Sequence, residues 1–222
     1  MANERLRVRI SGEFACFTRP EMKVERVSYE VITPSAARGV LEAVLWKPEM
    51  RWIIHRITAL NPIRFTSVKR NEVASKIPST FKSWANLNST DRQFFADDDR
   101  QQRNAVLLRD VAYIVEASIQ LTARASKDDS INKYVEMFTR RVEKGQHFHQ
   151  PYLGCREFPA TVELLNERTP VPAEEFRGKR ELGWMLNDIE YANGKPLRPH
   201  FFQAVMDDGV IEVPALKTEV RP

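Results

Sequence analysis

One run concentrates side chains able to do chemistry: Lys144-Gly145-Gln146-His147-Phe148-His149-Gln150-Pro151-Tyr152-Leu153-Gly154-Cys155-Arg156-Glu157-Phe158-Pro159-Ala160. Histidine titrates near neutrality, so His147 and His149 suit proton transfer to or from a substrate. For either histidine taken alone, packing or a hydrogen bond to the loop backbone is the commoner use. A zinc centre would need four ligands. His147, His149 and Cys155 lack a closing pair, so no metal is expected. Cys16 and Cys155 show no redox-pair or metal-ligand spacing and read as two reduced, partly buried thiols.

Two basic groups accompany this loop. Lys133, Arg140 and Lys144 share one helical face, with Arg141 beside them. Tyr134, Phe138 and Val142 form the apolar stripe. Such a face is most often simply solvated, and Glu136 and Glu143 reduce its charge. Arg64, Lys69, Arg70, Lys76 and Lys82 make a second cluster, interleaved with Phe65, Phe81 and Trp84. Cations suit phosphates and aromatic rings suit unstacked bases, so this mixture fits single-stranded RNA as well as it fits a surface loop. Asp97-Asp98-Asp99 reads as a solvated turn. Phosphate-loop, dinucleotide and nucleophile-elbow motifs are missing.

The elements that must position these residues follow from the hydrophobic pattern. Leu6 to Ile10 alternates as a strand. Thr33 caps a helix with Pro34 at its first position, and Pro48 stops it. Ile53 to Leu60 and Ile63 to Val68 are strands broken near Pro62. Residues 69–104 are polar and turn-rich and read as a long insertion. Val106 to Thr122 is β-prone, with Val111, Tyr113 and Val115 alternating. A helix runs from about Ser130 to Lys144, ended by Gly145. Phe158 to Leu165 is a further strand. Strand, helix, strand, strand, helix, strand is the ferredoxin-like order, shared with RNA-recognition folds. Thr169-Pro170-Val171-Pro172 reads as a linker. Asn193-Gly194 and Asp208-Gly209 are hairpin turns. The fold class is therefore α+β. Residues 1–166 are expected as a ferredoxin-like, RNA-recognition-like domain with its insertion at about 69–104. Residues 167–222 are expected as a small antiparallel β domain.

The chain has 222 residues, 42% hydrophobic and 29% charged, with a net charge of +4. That composition fits a globular protein and mildly favours a polyanionic partner. Arg5, Arg7 and Arg9 interrupt any apolar leader, and no run is long enough to cross a membrane. A cytoplasmic protein with no membrane partner is expected.

Phe14-Ala15-Cys16-Phe17-Thr18-Arg19-Pro20-Glu21, Ser28-Tyr29, Thr33-Pro34-Ser35-Ala36-Ala37-Arg38-Gly39, Trp46-Lys47-Pro48, Asn61-Pro62-Ile63, Leu108-Arg109-Asp110-Val111 and the histidine loop occur in order along nearly the whole chain. Together they resemble the CRISPR-associated Cas-five family, in the Dvulg (d) subtype of type I-C systems. The resemblance implies an RNA-recognition-like domain followed by a small β domain. It implies a metal-independent endoribonuclease that cuts the repeat of precursor CRISPR RNA and needs no cofactor. The 2′-hydroxyl would attack the scissile phosphate and leave a cyclic 2′,3′-phosphate. The protein would then stay on the 5′ handle of the guide RNA, among other subunits of the interference complex. Some family members also bind duplex DNA.

Characterised relatives use a tyrosine before the Trp-Lys-Pro of the first helix and an adjacent lysine–histidine pair on the second. Here those positions hold Leu45 and Lys133-Tyr134. Lys133 would stabilise the phosphorane. Tyr134 would move a proton if Lys133 lowered its pKa, and His147 or His149, near in sequence, would substitute for the missing groups. Arg140, Arg141, Lys144, Arg156 and the 64–82 cluster would hold RNA, with Trp46 and Tyr29 as stacking platforms. Leu45 keeps a non-catalytic guide-RNA-binding subunit in view, and a duplex-DNA-binding factor is a third reading.

Overall fold

The computed structural model describes residues 5–22, 24–75, 95, 97–165, 170–192 and 195–215. Its spine is a 22-residue strand, Arg100–Leu121, roughly 70 Å long at the usual rise. In chain order the elements are β1 (Leu6–Ala15), β2 (Arg26–Val27), α1 (Pro34–Val44), β3 (Met50–Ala59), β4 (Phe65–Val73) and the spine, β5. Then come α2 (Ile131–Glu143), β6 (Thr161–Leu164), a 3-10 turn at Glu174–Phe176, β7 (Lys179–Ala192), β8 (Lys195–Asp207) and β9 (Val210–Glu212).

These strands make one mostly antiparallel sheet in the order β6-β1-β5-β3-β9-β8-β7, with β2 and β4 also paired to β5. Among the described residues only the short β2 pairing is parallel. The C-terminal strands continue this sheet, because β9 pairs with β3 at Arg56–Thr58. Helices α1 and α2 pack on the sheet and touch each other, which makes the architecture α+β.

Alternation on β5 explains the layering. Val111, Tyr113, Val115, Ala117 and Ile119 enter the main core, whereas Ala112 and Ile114 join Leu60 in a small second cluster. Period-two side-chain placement requires this split. The ring of Trp52 meets that of Phe138 edge-on at 4.8 Å, and its indole N–H donates to the Leu45 carbonyl at 2.9 Å. That pair ties β3 to α2.

Several sequence expectations change here. The 69–104 stretch is not one loop, because Lys69 to Val73 pair with Arg100 to Asn104 as a continuous ribbon. Its residues are exposed or half-buried, with no polar–apolar alternation, so cross-strand pairing, not burial, makes the strands. Asp99 accepts from the Ser75 backbone and hydroxyl at the ribbon's far end, at 2.7 and 3.2 Å. Lys76, Phe81, Lys82 and Trp84 lie outside the described residues, as do Thr169 and the Asn193-Gly194 turn. Helix α1 ends at Val44, with Leu45 already extended at φ −144°, before Pro48 could act. Asp208 and Gly209 do form a tight turn, at φ 48° and 82°. Among the described residues no helix is long and apolar enough to cross a membrane.

Candidate functional site

Helix α2 presents different chemistry at its two ends. At the start, Ser130 caps the helix, its hydroxyl accepting from the Lys133 backbone at 3.2 Å. Asp129 then gathers four donors. Its Oδ1 accepts from Lys133 Nζ at 2.9 Å and from the Tyr134 hydroxyl at 2.6 Å. Its Oδ2 accepts from the Ser126 backbone and hydroxyl, each at 2.9 Å. The phenol hydrogen bond and the Ser126 amide hold this carboxyl well below the usual range. Tyr134 is buried. The same bond to Asp129, aided by desolvation, pushes its phenol up to about 12. Lys133 lies 5.6 Å from the Tyr134 ring centre without making the phenol more acidic. The expected activation of Tyr134 by Lys133 is thus reversed, since an acceptor carboxylate favours the protonated phenol.

The other end closes as a Schellman motif. Gly145 adopts φ +62°. Its N–H donates to Val142 at 3.1 Å, and that of Gln146 donates to Arg141 at 2.7 Å. This left-handed position suits glycine. The chain then turns onto the end of α1. The amides of Phe148 and His149 donate to the Ala43 carbonyl at 2.9 and 3.3 Å. The Arg141 guanidinium donates to the Val44 carbonyl at 2.6 Å. Orphan carbonyls of one helix therefore anchor the loop leaving another. Because backbone groups do the anchoring, the side chains of His147, Phe148 and His149 stay outside. Phe148 is 81% exposed and Trp46 54%. Lys47, Arg140 and Lys144 are exposed as well. His149 stacks on Tyr152 with ring centres 6.1 Å apart.

Farther along, the loop is pinned to the sheet. Cys16 N–H donates to Leu153 at 3.0 Å, Leu153 N–H to Phe158 at 2.8 Å, and Ala160 N–H to Pro151 at 2.8 Å. Gly154 sits at φ +84°, and a Cβ there would lie 2.0 Å from the Cys16 carbonyl oxygen.

These contacts sort the sequence-predicted residues. His147, His149, Lys144, Arg140 and Trp46 all lie at the end of α2 or on the segments that leave α2 and α1, which the Phe148 and His149 amides join at the Ala43 carbonyl. Trp46 is a surface residue, not core. Lys133 and Tyr134 stand at the far end of α2, about 16 Å of helix from Lys144. Arg141 faces α1 and caps it. Arg70 is mostly buried, ion-paired with Glu157, and stacked 5.4 Å over Phe158. Tyr29 is no open platform: it is 3% exposed and covered by Arg19 at 4.6 Å. Arg64, Lys69 and Arg156 remain exposed. Leu45 is completely buried. Lys47 and Phe148, both exposed on these segments, were not among the expected site residues. The signal for Phe148 was an aromatic between two histidines outside any apolar period. Among the described residues no three His, Cys, Asp or Glu side chains gather as a metal would require.

The surface therefore offers imidazoles for proton transfer, cations for phosphates and two open aromatic faces. Residues 5–214 match the family described as CRISPR-associated protein (Cas_Cas5), Cas_Cas5d. The chain is 50% identical to the CRISPR pre-crRNA endoribonuclease Cas5d of Mannheimia succiniciproducens, over 99% of this chain and 98% of that one. It is 42% identical to the CRISPR pre-crRNA endoribonuclease Cas5d of Thermus thermophilus, over 96% and 93%. Among solved structures, a crystal structure of a CRISPR-associated protein aligns at TM-score 0.69 and 23% identity, over 96% of this chain and 93% of that one. A chain of a CRISPR RNA-guided surveillance complex aligns at 0.54 and 15%, over 96% and 92%. Those two likenesses are of fold. The chain belongs to the CRISPR-associated Cas5 family, in its Cas5d branch.

Proposed function

We propose that this protein binds the repeat of precursor CRISPR RNA, cuts it, and remains on the guide RNA within an RNA-guided complex in the cytoplasm. The observation that carries this is near-full-length identity of 50% and 42% to two proteins named as pre-crRNA endoribonucleases. The β6-β1-β5-β3 order with α1 and α2 as crossovers supports a ferredoxin-like N-terminal unit, to which β7, β8 and β9 add a C-terminal β unit.

In this reading, cleavage is metal-independent attack by the 2′-hydroxyl. Such a reaction needs a base, an acid and a cation beside the phosphorane. We place proton transfer on His147 and His149. Both are exposed, whereas the Tyr134 phenol is buried and already donates to Asp129. Lys144 and Lys47 supply positive charge, and Trp46 and Phe148 stack bases. Lys133 keeps its amine half-exposed and meets backbone phosphate further along the RNA. Arg64, Lys69, Arg140 and Arg156 extend the electrostatic track.

The test is incubation of the pure protein with its repeat RNA and excess chelator, followed by analysis of the product's 3′ end. A cyclic 2′,3′-phosphate is the expected product, and chelator-sensitive cutting would overturn the mechanism. A second reading, a non-catalytic RNA-holding subunit, is favoured by the buried Leu45. Tight binding without any product would establish it.

A further inference from the structure

Cys16 and Cys155 are distant in sequence and adjacent in space. The Cys16 amide donates to Leu153, two residues before Cys155. The Cys155 sulfur lies 4.0 Å from the Cys16 carbonyl oxygen. Both cysteines are free thiols, Cys16 buried and Cys155 partly open. Arg26 Nη1 donates to the Cys155 sulfur at 3.3 Å. Cys16 also meets the Thr18 hydroxyl at 3.5 Å.

We propose that Cys155 is a peroxide-reactive thiolate whose oxidised form is captured by Cys16 as an intramolecular disulfide.

The surroundings favour the reactive form at Cys155. Its pKa is drawn down first by the neighbouring Cys16 thiol and then by Arg26, against desolvation and the nearby Glu157 carboxylate. Cys16 moves the opposite way, raised by the neighbouring Cys155 sulfur and by burial, with the Thr18 hydroxyl and then Arg70 opposing. Glu72 faces Arg26 at 3.8 Å. The two thiols thus have separate roles: one is a partly open attacking sulfur, the other a protected resolving thiol. In the first step the Cys155 thiolate attacks a hydroperoxide oxygen. The O–O bond breaks, hydroxide leaves, and the sulfur becomes sulfenic acid, oxidised by two electrons. In the second step the Cys16 sulfur attacks the sulfenic sulfur. An S–S bond forms, the S–O bond breaks, and water leaves with the Cys16 proton. A reducing cytoplasm would reverse the bond through thiol exchange, so the pair would act as a transient oxidation sensor.

The test uses the full chain. Iodoacetamide should alkylate Cys155 about tenfold faster than free cysteine at pH 7, with half-maximal rate below the ordinary thiol pKa. Arg26→Gln should slow it. Hydrogen peroxide should remove about 2 Da per chain, as two thiol hydrogens are lost, and peptide mapping should join the Cys16 and Cys155 peptides. Cys16→Ser should instead leave a dimedone-reactive sulfenic acid at Cys155. Alkylation no faster than free cysteine, or peroxide-treated chain with both thiols still free, overturns the proposal. So does a persistent sulfenic acid in the wild-type chain.

Discussion

The N-terminal end of α2 is closed and its C-terminal end is open. At the start, Asp129 uses both oxygens on Lys133, Tyr134 and Ser126, so the most reactive-looking residues spend their polarity on each other. At the end, backbone amides hold the loop to Ala43, and the side chains are left for a ligand. A polar side chain that anchors its own segment is poorly placed to serve a substrate. Anchoring by main chain avoids that conflict, and this is why we propose the histidine loop, not the lysine–tyrosine pair, as the site for chemistry.

The sharpest way to break this contrast is to remove both histidines. His147→Ala with His149→Ala should slow repeat cleavage by about 10²-fold or more, the usual contribution of acid–base groups, while RNA affinity holds. Tyr134→Phe should leave the rate within about twofold, since a buried donor phenol takes no part. Equal losses from both changes would erase the distinction. The next effect in size is at the loop's anchor. Gly154→Ala forces a Cβ to 2.0 Å from the Cys16 carbonyl at a positive φ, costing about 3 kcal/mol or more. Hydrogen exchange should show faster opening at Cys16 and Leu153 than at the start of α2. Uniform exchange along the chain would mean the loop is held elsewhere.

Trp46→Ala tests the open end as an RNA surface. Loss of one stacked base should weaken repeat-RNA binding by about 1–3 kcal/mol, measured by titration at fixed salt, with thermal stability unchanged. An unaltered affinity would move the RNA off this end. The smallest effect belongs to the closed end. Asp129→Asn should lower the melting temperature by a few degrees at pH 7 without altering cleavage. Asp129 is depressed in the folded state, so its contribution is full above the unfolded carboxyl pKa of about 3.9 and fades as pH falls through the folded value. The melting gap between wild type and variant should therefore narrow below about pH 4. A gap that widens in acid would contradict the assigned bonding.

Local signals in the sequence were reliable guides. Thr33 caps α1, with its hydroxyl accepting from Ala36 at 3.2 Å. Gly145 ends α2, and Asp208-Gly209 turns β8 into β9. Each depends on a few neighbouring residues and a backbone preference, so each was legible. The ribbon of β4 and early β5 was not, because its strands carry no apolar alternation and exist through their partners. Side-chain commitment was equally hidden. Arg70, Arg141 and Tyr29 have the right types for RNA, but distant residues occupy them: Glu157, the Val44 carbonyl and Arg19.

The family, the main helices and core strands, and the loop worth suspecting can all be read from the linear chain, because motif, period and cap are properties of short segments. Which polar groups remain available is settled only when the chain packs. Packing buried Leu45 and Tyr134, opened Trp46 and the histidines, and set Cys16 beside Cys155. Availability depends on what comes against a side chain from elsewhere in the chain, and no local pattern encodes that.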